Sequence, residues 1–187
     1  RIIDVSMEVS NVVLDGANNL FSIGVQISGP GASDTVIQDS AVKRVQFGIQ
    51  ATSAAPIITR NCFEDIRGDA VFVQPPDAKG PTGATPRAGD VTDARTGFNV
   101  FDDVDGFFVK NQSNTLTKAE QNFYGEEFVT EEALEGKMSA NVDFIPFFAR
   151  LVIPWHVTGT LLASPAGTPF SGAANPSVSI GLATTTT

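Results

Sequence analysis

Two pairs of adjacent carboxylates are the residues of this chain whose spacing could support chemistry. Glu64-Asp65 and Asp102-Asp103 occupy equivalent places in two similar segments. If those segments stack as neighbouring β-strands, the four carboxylates lie about 5 Å apart and repel one another unless a cation neutralises them. Ca²⁺ takes several carboxylate oxygens, so the pattern predicts a calcium site at these four residues. Two further carboxylates beside the following Gly turns could add ligands: Asp69 and Asp105.

A second interpretation of the same residues needs no cation. One segment earlier, the two charged positions hold Lys43 and Arg44. Stacking would then allow Lys43 to pair with Glu64 and Arg44 with Asp65, while the remaining carboxylates stay solvated. Exposed ion pairs of this kind are common and contribute little to stability. The sequence leaves both interpretations open.

The segments that carry these charges are copies of one internal repeat. Each copy has a small polar residue, an apolar residue, two charged residues, a Gly turn and a short apolar strand. An internal repeat indicates a solenoid, in which each unit buries its apolar face only against its neighbours. The clear copies span residues 40–51, 61–73 and 99–109, and a fainter one ends at residues 21–27.

The spacing of the copies predicts β-strands rather than helices. The apolar strands begin at Gly24, Gly48, Ala70 and Gly106, with intervals of 24, 22 and 36 residues. A Pro/Gly-rich insertion at about 75–94 accounts for the long interval. A period near 22 residues is too short for a pair of helices and suits two or three short strands per coil. The chain is therefore predicted to be all-β, with about five stacked coils.

Several of these segments resemble the repeats of right-handed parallel β-helices in the pectin-lyase-like superfamily. The likeness lies in the Ile58, Asn61, Phe63 spacing and in two later segments, 119–125 and 141–147. The first resembles the asparagine-aromatic-aromatic-glycine element, and the second the closing valine-aspartate-aromatic-x-proline-aromatic element, of such proteins. The resemblance implies a right-handed parallel β-helix. It does not imply one activity, because this superfamily includes lyases, hydrolases, adhesins and inert scaffolds.

Within that superfamily, the enzymes closest in chemistry to an acidic ladder are Ca²⁺-dependent polysaccharide lyases. They combine acidic Ca²⁺ ligands with a nearby basic residue, for which Arg60, Arg67 and Lys110 are the candidates in this chain. None of the three lies in a recognisable lyase motif. The hydrolase branch is disfavoured because its Gly-His-Gly and Arg-x-Lys segments are missing from the sequence.

Composition limits the partners. The net charge is −9 with only 12 Lys and Arg residues, which argues against nucleic acid and anionic membranes and leaves cations or polysaccharide. No stretch of 18 apolar residues is present, so no membrane span is predicted. The start at Arg1-Ile2-Ile3-Asp4, as if within a strand, and the low Cys and Lys content favour a piece of a longer precursor at an extracellular or cell-surface location.

The chain is predicted to divide into a β-helix at 1–147 and a β-prone C-terminal extension at 148–187. Thr130 is expected to cap a short helix that ends at Gly136 and covers the open end of the solenoid. Four residues with reactive or aromatic side chains are expected to be structural: Cys62, Phe123, Tyr124 and His156.

Two functions follow from these observations. The favoured hypothesis is a non-catalytic extracellular structural or adhesive module that assembles with itself, as an oligomer or filament, end to end or by strand addition. The alternative is a carbohydrate-active enzyme, a Ca²⁺-dependent polysaccharide lyase-like protein or a fragment of one. The sequence leans away from an enzyme because no catalytic motif is complete.

Overall fold

In the computed structural model, the described residues are 1–17, 19, 21–75 and 85–150, together with two short strands at 162–163 and 168–169. The chain divides into two compact units, Arg1–Pro154 and Trp155–Thr187. The first unit is a parallel β-solenoid of about five coils, as the repeat predicted.

Successive coils add their strands to three parallel sheets, which have five, six and four strands. Sheet A has the order β1-β4-β7-β10-β13, sheet B the order β2-β5-β8-β11-β14-β15, and sheet C the order β3-β6-β9-β12. The elements are β1 (Ile2–Ile3), β2 (Glu8–Ser10), β3 (Val13–Asp15), β4 (Ile23–Ser28), a 3-10 turn (Pro30–Ala32), β5 (Val36–Gln38), β6 (Ala41–Lys43), β7 (Phe47–Thr52), β8 (Ile57–Thr59), β9 (Cys62–Ile66), β10 (Val71–Gln74), β11 (Arg87–Gly89), β12 (Val100–Val104), β13 (Val109–Asn111), β14 (Thr117–Ala119), α1 (Glu131–Glu135), β15 (Val142–Asp143), β16 (Leu162–Ala163) and β17 (Thr168–Pro169).

The register of sheet A shows why the apolar positions repeat. Val25, Ile49, Val71 and Val109 pair in series across the sheet and are all buried. Alternate residues of a strand face opposite sides, so one apolar residue in two is enough to fill the interior. Hydrogen bonds between coils join residues 24, 22 and then 38 apart, which confirms the period and its interruption by an insertion.

Aromatic rings stack along the axis inside the C-terminal coils. Phe63 lies 4.9 Å from Phe101, and Phe101 lies 5.0 Å from Tyr124, measured between ring centroids. All three side chains are fully buried. Stacked pairs of this kind add about 0.5–1.5 kcal/mol each beyond the area they bury. The same column continues toward the N-terminus as Val42 and Leu14, with smaller side chains.

The corner between sheets B and C is a one-residue turn repeated in every coil. The turning residue has a positive φ near +55°, the left-handed conformation that non-glycine residues adopt infrequently. The chain can then reverse direction sharply, and the residue after the turn is directed into the space between the coils. The turning residues are Asn11, Asp39, Arg60, Phe98 and Gln121.

The residue after this turn forms a buried amide ladder in three successive coils. Asn61, Asn99 and Asn122 are each no more than 1% exposed. The Asn99 side-chain amide donates to the carbonyl oxygens of Ile58 and Ala88 and to Oδ1 of Asn122, each at 3.0 Å. Its Oδ1 accepts from the backbone and side-chain nitrogens of Asn61, at 3.0 and 3.2 Å. This ladder therefore hydrogen-bonds corner carbonyls that would otherwise be buried without partners.

The C-terminal end of the solenoid is closed by the helix that the sequence predicted. Thr130 Oγ1 accepts from the backbone nitrogen of Ala133 at 3.3 Å, and Gly136 ends the helix, so both capping predictions are confirmed. Leu134 is fully buried in the core. The backbone nitrogen of Phe108 donates to the carbonyl of Lys137 at 2.9 Å, so the chain after α1 covers the last coil.

The insertion ends earlier than the predicted range of about 75–94. Residues 87–89 form β11, which pairs with β8 and β14 inside sheet B. The Pro and Gly content concealed this strand. Pro86 precedes the strand and costs no ladder bond, and the following Arg87 nitrogen donates to the carbonyl of Pro56 at 2.8 Å. Residues 76–84 of the insertion lie outside the described residues.

The C-terminal extension at 148–187 is described only in part. Within the unit Trp155–Thr187, β16 and β17 pair in antiparallel fashion. The strands predicted around His156 and near the C-terminus lie outside the described residues, and the role of His156 stays a prediction.

The amide ladder predicts a large loss of stability on truncation at its centre. Asn99→Ala should lower the free energy of unfolding by about 3 kcal/mol, because several buried carbonyl and amide groups lose their partner at once. The control is Asn114→Ala, the same change at an exposed asparagine, which should cost less than about 0.5 kcal/mol. Urea unfolding measures both, and a loss below about 1 kcal/mol for Asn99→Ala would contradict the role of the ladder.

Candidate functional site

The predicted acidic ladder lies on the outer face of sheet C, in the predicted register. In the strand register, Glu64 lies opposite Lys43 of β6 on one side and opposite Asp102 of β12 on the other. Asp65 and Asp103 follow at equivalent positions, both with positive φ, of 52° and 54°. The sign of the charge therefore changes from coil to coil, as the aligned repeats indicated. All four carboxylate residues are exposed or half-buried.

The predicted calcium site remains a prediction. Within the described residues, no group of three or more His, Cys, Asp or Glu side chains is arranged to hold a metal ion. Asp69, considered as an extra ligand, already has partners. Its Oδ1 accepts from the backbone nitrogen of Phe107 at 3.0 Å, and its Oδ2 lies 3.2 Å from Nζ of Lys110. Asp69 is therefore committed to stabilising the next coil.

The predicted pairing of Arg44 with Asp65 is wrong. The Arg44 guanidinium instead forms a two-pronged ion pair with Asp15, one coil toward the N-terminus, with Nε at 2.9 Å from Oδ1. The strand register explains why Arg44 binds Asp15. Asp15 lies opposite Lys43 in the neighbouring strand and therefore beside the left-handed turn at Arg44. Hydrogen bonding from Arg44 and from the backbone of Ala17 lowers the pKa of Asp15 to about 2.

Two of the three basic residues considered for a lyase, Arg60 and Lys110, lie apart from the acidic ladder, whereas Arg67 directly follows β9, the strand that carries Glu64 and Asp65. Arg60 lies at the corner between sheets B and C, where it binds both oxygens of Asp39 at 2.7 Å, and this hydrogen bonding raises its pKa. Lys110 lies on sheet A, beside Asp69 and 5.4 Å from the ring centre of Phe72. Both side chains thus have structural partners, and neither faces the carboxylates that a lyase would use.

Three of the side chains expected to be structural are placed as expected. Cys62 lies in β9, half-buried between Ala41 and Val100 of the neighbouring strands, and burial raises the pKa of its thiol. A raised pKa disfavours the nucleophilic thiolate. Phe123 and Tyr124 are buried in the core, and burial also raises the pKa of the Tyr124 phenol.

A small cleft near the C-terminal cap contains residues that sequence reasoning did not bring together. Its volume is about 290 Å³, and Lys137 lies in it with three carboxylates. The Lys137 ammonium donates to the carbonyl oxygens of Val104 and Asp105, at 2.6 and 3.0 Å. This lysine therefore fastens the cap to β12. The floor is aromatic and the rim acidic, with Phe101, Phe108, Tyr124, Phe128, Asp103, Asp105 and Glu127 among the lining residues.

Most of the exposed large apolar side chains among the described residues lie on the N-terminal coil and the turn after it. Phe21 is 90% exposed, and Val13, in the middle of β3, is 64% exposed. The inward-facing residues Val9 and Leu14 are only partly buried. The strands β1, β2 and β3 have a sheet neighbour on one side only in the described structure. The exposed large apolar side chains of this coil and the turn after it are Ile3, Val5, Met7, Val13, Phe21 and Ile23.

A second cleft opens beside this coil. Its volume is about 330 Å³, and its lining is mixed, with apolar side chains from Leu14, Ile23 and Val45 and polar ones from Asp15, Asn19 and Ser22. Gly16 and Gly24 also line it and supply no side chain that would fill it. The sequence signal for this surface was the lack of alternation in the first repeat, where apolar residues stand at outward positions such as Val13.

The substitution Asp102→Asn distinguishes a calcium site from a set of solvated carboxylates. Asp102→Asn removes the like charge opposite Glu64 and should raise the free energy of unfolding by about 0.3 kcal/mol. We expect the same gain in thermal unfolding with and without about 5 mM Ca²⁺, because the melting temperature of the wild type should not change with Ca²⁺. A Ca²⁺-dependent rise in the wild type that Asp102→Asn abolishes would establish the calcium site instead.

The Asp15–Arg44 ion pair predicts an acid-sensitive contribution to stability. The folded pKa of Asp15, about 2, lies below its ordinary value of 3.8, so the contribution is complete above that ordinary value and is lost as the pH falls toward 2. The melting temperatures of the wild type and Asp15→Asn should therefore differ near neutral pH and converge below about pH 2. A difference that does not change with pH would contradict the assignment.

Neither a membrane-spanning helix in the described part of the chain nor a match to a known protein points to a function for this chain. Among the described residues, no helix is long and apolar enough to cross a membrane. No family model, no curated protein and no solved structure matches the chain. The described residues form a parallel β-solenoid whose first coil carries exposed apolar side chains.

Proposed function

We propose that this chain is a non-catalytic structural or adhesive module, built on a parallel β-helix of the pectin-lyase-like kind, that assembles through its N-terminal coil. The observation that supports the proposal is the exposure of apolar side chains on that coil among the described residues, where β1, β2 and β3 each have a sheet neighbour on one side only. Exposed clusters of apolar side chains are typical of interaction surfaces.

The edge strands define the kind of contact. An open strand presents unpaired N–H and C=O groups, which another strand can satisfy by adding to the sheet. Natural edge strands are commonly protected by charges, prolines or covering segments, and the C-terminal end of this solenoid is covered by α1. The N-terminal edge has the apolar Ile3 and Val13 at outward positions. This difference between the ends supports strand addition at the N-terminal coil.

The acidic surface suits an extracellular or cell-surface module. A net charge of −9 favours solubility, and the exposed apolar side chains of the first coil supply a surface for adhesion. The carbohydrate-active alternative has less support. Two of its three candidate bases already have structural partners, since Lys110 pairs with Asp69 and Arg60 pairs with Asp39.

If the chain associates through its N-terminal coil, a charged side chain introduced on that coil should prevent the association. The wild-type chain should show a concentration-dependent mass in sedimentation velocity between about 1 and 100 µM, the range of weak to moderate association. Val13→Lys should abolish it, because a lysine on an open edge opposes strand addition. The matched control is Val91→Lys, at an exposed valine outside the N-terminal coil, which should leave association unchanged. A strictly monomeric wild type would overturn the proposal.

Absence of catalysis is tested separately. Incubation with a panel of acidic polysaccharides, with and without Ca²⁺, should yield no unsaturated products by ultraviolet absorbance. Accumulation of such products would establish the lyase alternative. Lys137→Gln would then report whether the cleft near α1 is responsible, with the unfolding midpoint of the variant as the control, because Lys137 also fastens the cap to β12.

A further inference from the structure

We infer that the cleft near the C-terminal cap binds an extended basic peptide segment of a partner protein, which adds as a strand to the free edge of β12. The inference goes beyond the proposed function, because it does not use the N-terminal coil and every residue that carries it lies within the described range 85–150. It follows from a sheet that ends one coil early and from a rim of carboxylates that form no ion pair.

Among the described residues, sheet C lacks the strand that would follow β12. Sheets A and B continue beyond that coil with β13, β14 and β15, whereas sheet C ends at β12. The chain begins the missing strand, since the Phe101 nitrogen donates to the carbonyl of Phe123 at 2.9 Å. It then turns at Gly125, whose φ is 91°, and makes no further backbone hydrogen bond to β12.

Two backbone groups of this edge are unpaired. In a continued parallel ladder, the next strand would donate to the carbonyl of Phe101 and accept from the amide of Asp103. Neither hydrogen bond forms within the part of the chain that the structure describes. The carbonyls of Val104 and Asp105 accept instead from the Lys137 ammonium, at 2.6 and 3.0 Å. A side chain thus replaces part of the absent strand, and an added peptide strand can pair with the rest of the edge.

The charge of the cleft selects a basic peptide. Three exposed carboxylates line it, from Asp103, Asp105 and Glu127. None of the three forms an ion pair with another described residue. The Lys137 ammonium beside them is hydrogen-bonded to the two carbonyls. The cleft therefore carries a net negative charge, which attracts lysine or arginine side chains and repels acidic ones.

The aromatic wall of the cleft supplies a contact for one such cationic side chain. Phe128 is half-buried there and packs edge-on against Phe108, with ring centroids 5.0 Å apart. The Lys137 ammonium lies 5.8 Å from the centre of the Phe108 ring, so the cleft already accommodates a cation beside an aromatic face. Its volume of about 290 Å³ equals roughly ten water molecules, which is room for one side chain and a short stretch of backbone.

Binding of a defined peptide tests the inference. The acetylated and amidated pentapeptide Val-Arg-Val-Arg-Val, added to the full chain, should bind with a Kd below about 1 mM in an NMR titration. The acidic peptide Val-Glu-Val-Glu-Val should bind at least about tenfold more weakly, because the rim repels it. Arginine amide, which carries the charge without a strand, should also bind at least about tenfold more weakly, because it cannot pair with the edge of β12.

A matched pair of variants locates the binding. Glu127→Gln should weaken binding of the basic peptide by about threefold or more. Glu126→Gln removes the adjacent exposed carboxylate, which does not line the cleft, and should leave binding unchanged. Both side chains are exposed, so both variants should keep the unfolding midpoint of the wild type. In hydrogen exchange, the Asp103 amide should exchange readily in the free protein and become protected when the basic peptide is bound.

Four results would overturn the inference: no binding of the basic peptide at about 1 mM, equal binding of the acidic peptide or of arginine amide, equal effects of the two variants, or protection of the Asp103 amide before peptide is added. Protection confined to residues 1–23 would also overturn it and would support strand addition at the N-terminal coil. The Val13→Lys association experiment does not depend on this cleft, so the proposed function stands or fails separately.

Discussion

The buried amide ladder at the corner between sheets B and C is the interaction on which the stacking of the coils depends. At this corner the chain turns within one residue, and the carbonyl groups on either side are removed from water. The side chains of Asn61, Asn99 and Asn122 satisfy those carbonyls and one another across three coils. A buried polar network of this kind stabilises only when it is complete, so the three coils that carry Asn61, Asn99 and Asn122 depend on one another.

This dependence also explains why the two ends of the solenoid differ. Toward the C-terminus the ladder ends at Asn122, beneath a chain segment that continues through α1 and β15. Toward the N-terminus the same position becomes Ser40 and then Val12, and the aromatic column shrinks to Val42 and Leu14. The hydrogen bonds of the amide ladder and the aromatic column of the core therefore both diminish toward the N-terminus. Among the described residues, the first coil keeps exposed apolar side chains, such as Val13, and these form the surface of the proposed assembly.

Much of the architecture was predictable from the sequence because a stacked repeat converts residue spacing directly into spatial register. The period, the alignment of Glu64 with Asp102, and the Thr130 cap were all confirmed. The ladder position was recognised as small and polar, but its role depends on neighbours a coil away. The pairing of Arg44 was missed because left-handed turns redirect side chains, and β11 was missed because its few residues carry no apolar alternation. Both depend on backbone geometry that composition does not encode.

The claim that the uncovered first coil is the functional surface concerns the backbone amides of β1, β2 and β3. Hydrogen–deuterium exchange of residues 1–23, measured at protein concentrations below and above the association range, observes those amides directly. Our account predicts that they exchange readily in dilute solution and become protected as concentration rises, while the amides of β7 to β9 stay protected throughout. Exchange of residues 1–23 that is independent of concentration would contradict it.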